Sequence, residues 1–173
     1  MKKTALFTFL ILFLISSFNY AQEQTQTNPF WLNIGFGGSP EYFNVNASYN
    51  KRLEKYSYQI SVNGSLRDFL SSRGMTTGNF GFGLTNVSNE LIGSLYIGPS
   101  VSYGEAKSNT YFWGVGLALN AQVYFMPLYK LFPGVGLGFE AFYNYNTIQT
   151  KDVDYRHVYS FRISVCLTDL HMN

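Results

Sequence analysis

Leu91-Ile92-Gly93-Ser94-Leu95-Tyr96-Ile97-Gly98-Pro99-Ser100-Val101-Ser102-Tyr103-Gly104 is the stretch that decides the fold. Its odd positions, Leu91, Leu95, Ile97, Pro99, Val101 and Tyr103 with Gly93 among them, are mostly apolar. Its even positions, Ile92, Ser94, Tyr96, Gly98, Ser100, Ser102 and Gly104, are mostly small or polar. Side chains of a β-strand point alternately to opposite faces, so this period of two predicts a strand with one greasy face. A slip of one residue would send every side chain to the wrong side, which makes a rule sustained this long a structural signal.

The rule holds on the C-terminal side. Tyr111, Trp113, Val115, Leu117, Leu119, Ala121, Val123 and Phe125 alternate with Phe112, Gly114, Gly116, Ala118, Asn120, Gln122 and Tyr124. Val135, Leu137, Phe139, Ala141, Tyr143 and Tyr145 alternate with Gly and with Glu140, Phe142 and Asn144. A last segment sets Tyr155, His157, Tyr159, Phe161, Ile163, Val165 and Leu167 against Arg156, Val158, Ser160, Arg162, Ser164 and Cys166. On the N-terminal side the signal is shorter: Phe30 to Phe36, Phe43 to Tyr49, Tyr56 to Leu66, and a weak Phe80, Phe82 and Leu84. Eight strands result, joined by turn signals at Gly38–Pro40, Asn50–Lys55, Asp68–Thr77, Asn86–Asn89, Gly104–Thr110, Met126–Pro133 and Thr147–Asp154.

The first residues predict export. Lys2 and Lys3 precede an apolar run from Ala5 to Ile15, and a small residue, Ala21, offers a cleavage point before polar sequence. The run is short of the roughly 20 apolar residues a spanning helix needs. The expected organisation is therefore a signal peptide over 1–21, a short periplasmic segment over 22–29, and one β-barrel domain over 30–173. Without Lys2 and Lys3 the chain carries ten basic and ten acidic residues, all ten acids lying beyond Ala21. There is no basic field to hold nucleic acid. Cys166 is the sole cysteine, so no internal disulfide framework is possible.

Alternation does not say which face is outside, and a soluble lipocalin-like barrel is the rival architecture. Composition separates the two. Charged residues are 13% of the chain against aromatics at 18%, where a soluble surface would need about a quarter charged. The polar faces are chiefly Gly, Ser and Asn, which suits the lumen of a narrow barrel better than a solvated exterior. The expected fold is thus all-β: an antiparallel up-and-down transmembrane barrel of about eight strands with its apolar face toward lipid. Placing both termini in the periplasm sorts the tyrosines and their neighbours into two interfacial girdles. Tyr103, Tyr111, Trp113, Tyr143, Tyr145 and Tyr155 fall at the outer ends, and Tyr49, Tyr56, Tyr58 and Phe125 at the opposite ends.

With its signal sequence, its outward-apolar strands and pieces such as Ile97 to Gly104, the chain resembles the small outer-membrane β-barrel proteins, the class containing the outer-membrane-protein-A-type transmembrane domain. The resemblance spans the expected mature chain and implies a place in the Gram-negative outer membrane. It also implies contact with outer-membrane lipids and lipopolysaccharide, and with the insertion machinery during assembly. Such barrels commonly end in an aromatic residue, whereas this sequence ends Thr168-Asp169-Leu170-His171-Met172-Asn173. Either Phe161 to Leu167 supplies the insertion signal with a short overhang, or assembly differs in detail.

Inside the expected barrel, Glu140 and Arg162 occupy inward positions at similar distances from the Thr147–Asp154 loop, and Asn120 falls in the same layer. A buried charge needs a partner, so these residues predict a lumen ion pair that fills the barrel. Catalytic chemistry has no such support. His157 faces outward and Ser160 inward, so the histidine cannot activate that hydroxyl. His157, His171 and Cys166 lack the spacing of a zinc site, and Gly134 to Gly138 alternates along a strand where a nucleotide loop would need a strand-to-helix turn. Neither metal nor cofactor is expected. The expected role is structural or interactive, with an envelope protein as a possible partner; a narrow pore is the alternative and a lipid-modifying enzyme a weaker one.

Overall fold

The computed structural model describes residues 28–54, 56–66, 74–88, 90–107, 110–126, 132, 134–147 and 156–169. The expected signal peptide lies outside the described residues, as do Tyr155 and the C-terminal residues 170–173. Each alternating segment becomes a strand: β1 (Phe30–Gly38), β2 (Phe43–Leu53), β3 (Tyr56–Leu66), β4 (Gly74–Val87), β5 (Leu91–Lys107), β6 (Thr110–Phe125), β7 (Val135–Asn146) and β8 (His157–Thr168). Neighbours in sequence pair antiparallel, and β1 pairs with β8, so the sheet closes on itself. Closure leaves no edge of unpaired amides and carbonyls, which is the condition for a sheet to lie in hydrocarbon.

The strands run further than local sequence indicates. The weak fourth segment is a 14-residue strand that takes in Gly74 to Thr77, residues that read as a turn. Asn50 to Leu53 likewise extend β2 and pair with Gln59 to Tyr56, so the reversal is confined to the residues around Glu54, whose φ is 55°. Most of Gly104–Thr110 is also strand, with a register irregularity between Glu105 and Lys107. Gly and Asn are weak strand formers locally, but cross-strand hydrogen bonds supply what their propensity lacks.

The register sets the barrel's shape. Phe30 pairs with Lys51, then Tyr58, Phe82, Ile97, Leu119, Tyr143 and Tyr159 in turn. The β8–β1 register carries that path back to β1 at position 40, ten residues beyond its start. Eight strands with this stagger must tilt about 40° to the barrel axis, which leaves an interior just wide enough for side chains.

That narrowness is visible at Gly98, on the lumen side of β5. A Cβ there would sit 1.9 Å from the Phe80 carbonyl oxygen and 2.9 Å from Gly81 Cα, backbone atoms that cannot rotate away. Next to it Pro99 has no amide hydrogen, and the β4–β5 ladder passes from Asn79↔Ser100 to Phe82↔Ile97 without the two pairs between. Gly98→Ala is therefore expected to cost about 1–3 kcal/mol through overpacking. Gly78→Ala, where an added Cβ meets nothing within 4 Å, is expected to be near neutral. Urea unfolding of the two refolded variants checks the pair.

Burial is inverted relative to a water-soluble domain. Among the described residues 25 polar or charged side chains are buried, against 12 apolar ones. The exterior carries Leu32, Ile34, Phe36, Ile60, Phe82, Ile97, Leu117, Phe139, Phe161 and Ile163, all at least 45% exposed. So large a continuous apolar surface is stable only against lipid.

Candidate functional site

The lumen is layered, and the layers follow from the inward residues of each strand. Near the end where β1 begins and β8 ends, Trp31, Val87, Ile92, Tyr96, Tyr124, Met126 and Cys166 form an apolar cluster. Near the other end Tyr42, Met75 and Val158 form a second, with Phe112 packed against it. Polar side chains occupy the space between.

At the centre of that space Glu140 lies directly opposite Arg162 across the β7–β8 ladder. Arg162 Nη2 is 3.0 Å from Glu140 Oε2, and both side chains are fully buried. Beside this ion pair the carboxylate accepts three hydrogen bonds: from Asn33 Nδ2, from Tyr124 Oη at 2.5 Å and from Asn46 Nδ2 at 2.8 Å. Its oxygens have about four lone-pair sites, so the acceptor is filled. The guanidinium donates to Asn63 Oδ1 and lies 5.0 Å from the centroid of the Phe142 ring. Two charges taken from water are held by one another and by neutral dipoles from β1, β2, β3 and β6.

Asn120 reaches this pair indirectly. Its Nδ2 donates to Gln59 Oε1 at 3.1 Å, Gln59 Nε2 to Asn50 Oδ1 at 2.8 Å, and Asn50 Nδ2 to Asn33 Oδ1 at 2.7 Å. Asn33 then donates to Glu140. These carboxamides all point their dipoles the same way toward the carboxylate, so each bond polarises the next. Directly opposite Glu140 on β6 is Gln122, two residues from Asn120. Sequence reading singled out the charges and Asn120 but not Asn33, Asn46, Asn50, Gln59 or Asn63. The signal available for them was their position on inward faces, shared with many other Asn and Ser residues. A second group nearer the Tyr42 and Met75 cluster joins Ser100 to Asn144 at 2.7 Å, Ser102 to Asn146 at 3.0 Å and Thr77 to Ser102 at 2.9 Å.

The aromatic residues expected at the two interfaces, so far as they are described, lie on the outward face. Tyr103 and Tyr111 stack at 6.0 Å with planes 3° apart, Trp113 is 74% exposed beside Tyr103 in register, and Tyr145 is exposed on β7. Tyr143 is half-buried, and its Oη shares a 2.7 Å hydrogen bond with His157 Nδ1. Toward the other end Tyr56 and Phe125 are exposed, while Tyr49 and Tyr58 are half-buried in a row of rings with Phe30 and Phe80. Phe30 and Phe80 belong to that row although the sequence reading omitted them. Ser160 is buried in the lumen and His157 is exposed on the opposite face, so the two cannot meet. Among the described residues no group of three or more His, Cys, Asp or Glu is placed to hold a metal.

No protein-family model and no curated protein sequence matches this chain. Among solved structures it is similar to the N-terminal β-barrel domain of Pseudomonas aeruginosa OprF, with a TM-score of 0.60 and 8% identity over 82% of this chain and 98% of that one. It is also similar to Ail, the attachment invasion locus protein of Yersinia pestis, with a TM-score of 0.51 and 12% identity over 83% and 99% of the two chains. The outer membrane enzyme PagL gives a TM-score of 0.51 and 8% identity over 79% and 98%. At these identities the likeness is one of fold, and it agrees with the closed register and the apolar exterior. The chain therefore has the fold of the small eight-stranded outer-membrane β-barrels.

Proposed function

We propose that this barrel is a sealed structural and interaction protein of the outer membrane, not a pore and not an enzyme. One fold carries unrelated activities, so the lumen of this barrel, not the neighbours' names, supports the reading. The observation that carries it is the filled interior: a hydrogen-bonded polar layer between two apolar clusters, with Trp31, Ile92, Tyr96 and Tyr124 fully or almost fully buried. An ion entering from either end meets an apolar constriction first, and the charges beyond it are already paired with one another. His157 has a tyrosine hydroxyl as its hydrogen-bond partner, not a serine, which supports a role at the membrane interface. The element best placed to meet an external partner is the β5–β6 hairpin, whose strands are the longest at 17 and 16 residues and continue past the stacked Tyr103 and Tyr111.

Planar-bilayer recording of the refolded barrel tests the sealed lumen. The expected trace shows no sustained conductance. Reproducible steps that change when Glu140 or Arg162 is substituted would establish a pore and overturn the proposal.

A further inference from the structure

We infer that the β2–β3 turn end of the barrel, where β1 begins and β8 ends, holds a site for one anionic glycerophospholipid, with Lys51 as the cation that binds its phosphate. The inference rests on the barrel spanning a bilayer. The outward series of β2 runs Phe43, Val45, Ala47, Tyr49 and then Lys51, which places an ammonium on an otherwise apolar face. In register Lys51 lies directly between Phe30 of β1 and Tyr58 of β3. Its outward neighbours on its own strand are Tyr49 and Leu53. All four surrounding positions are uncharged, and the side chain is half-buried. The nearby Asp169 carboxylate accepts the Phe30 amide at 2.9 Å, tying it to the chain end. Arg52, on the other face of the strand, is held by the Glu54 carbonyl oxygen at 2.6 Å. Lys51 thus has its charge at the rim of the lipid-facing surface, where a long side chain reaches the phosphate layer.

The rings around it form the rest of the site. Phe30, Tyr49, Tyr58 and Phe80 make a continuous row across four strands, with successive centroids 6.1, 6.2 and 6.4 Å apart. An acyl chain lying over this row would bring its headgroup to Lys51. The Tyr49 and Tyr58 rings, 6.2 Å apart, lie beside Lys51 on the outward face. Each phenol carries one proton that it can donate to a phosphate oxygen. A point cation beside a hydroxyl donor, at the edge of an aromatic slide, is complementary to a single phosphodiester with its chains. With the start of β1 and the end of β8 facing the periplasm, this end meets the periplasmic leaflet, so the lipid is a glycerophospholipid, not lipopolysaccharide.

Native mass spectrometry tests this on barrels refolded into vesicles of equal phosphatidylglycerol and phosphatidylethanolamine and then released. The wild-type barrel is expected to retain one phosphatidylglycerol in preference to phosphatidylethanolamine. Lys51→Gln is expected to lower that preference about fivefold, and Lys51→Arg to keep it. Tyr58→Phe, which keeps the ring and removes a hydroxyl, is expected to weaken it to a smaller extent. Equal preference in Lys51→Gln and the wild type would overturn the site, as would displacement of the retained lipid by added lipopolysaccharide. Lipid retention is read independently of conductance, so a conducting barrel that still shows the preference would remove the sealed-lumen reading and leave this one standing.

Discussion

Glu140→Ala is expected to destabilise the barrel by about 3–5 kcal/mol, the usual cost of removing one member of a buried ion pair. The substitution leaves the Arg162 guanidinium in the lumen with Asn63 and the Phe142 ring but no opposite charge. It also strips an acceptor from Asn33, Asn46 and Tyr124 at once, so several buried donors lose their partner together. Replacing both charges, Glu140→Leu with Arg162→Met, is expected to recover much of the loss, because the desolvation of two ions disappears with their attraction. Urea titration in lipid vesicles, followed by tryptophan fluorescence, provides the measurement, since Trp31 is buried in the lumen and Trp113 is exposed on the outer face. A cost for the single variant below about 1 kcal/mol, the magnitude of a solvated pair, would mean that water fills the lumen.

Ile97→Arg carries the second large expected effect. Ile97 is 50% exposed on the outward face of β5, near the middle of the strand. On a soluble protein a substitution at so open a position would change stability by no more than about 0.5 kcal/mol. Against a bilayer, arginine near the midplane costs about 2–4 kcal/mol, falling to about 0–1 near the interface. Trp113→Arg, among the outer aromatics close to the start of β6, is the shallow comparison and is expected to lose less. Equal and small costs at both positions, measured as vesicle-folding free energies, would show that this surface meets water.

The depth of these effects could be anticipated only partly. Alternation in Leu91 to Gly104 and in the three segments after it identified strands and faces, because side-chain direction along a strand is fixed by the backbone itself. Strand ends were less legible. Gly74 to Thr77 and Asn50 to Leu53 have turn-like composition, and only pairing with β3 and β5 in one case, and with β1 and β3 in the other, makes them strand. In the lumen, Glu140 and Arg162 stood out because charges are rare on the inward faces. Asn33, Asn46, Asn50 and Gln59 did not stand out, since Asn and Ser recur there and nothing local says which of them meets a carboxylate.

The sequence by itself determined that Leu91 to Gly104 and its companions are strands with one lipid-compatible face, and that the inward face is too poor in charge for a solvated exterior. Those properties are local: they depend on residue type and on a period of two. The tertiary structure alone decided who meets whom inside. Glu140 lies 107 residues from Asn33 and 94 from Asn46, and Arg162 lies 99 from Asn63. These contacts exist because β8 closes on β1 with a stagger of ten residues, which brings inward positions from distant strands to one depth. That stagger is a property of the whole closed sheet and is written in no single strand.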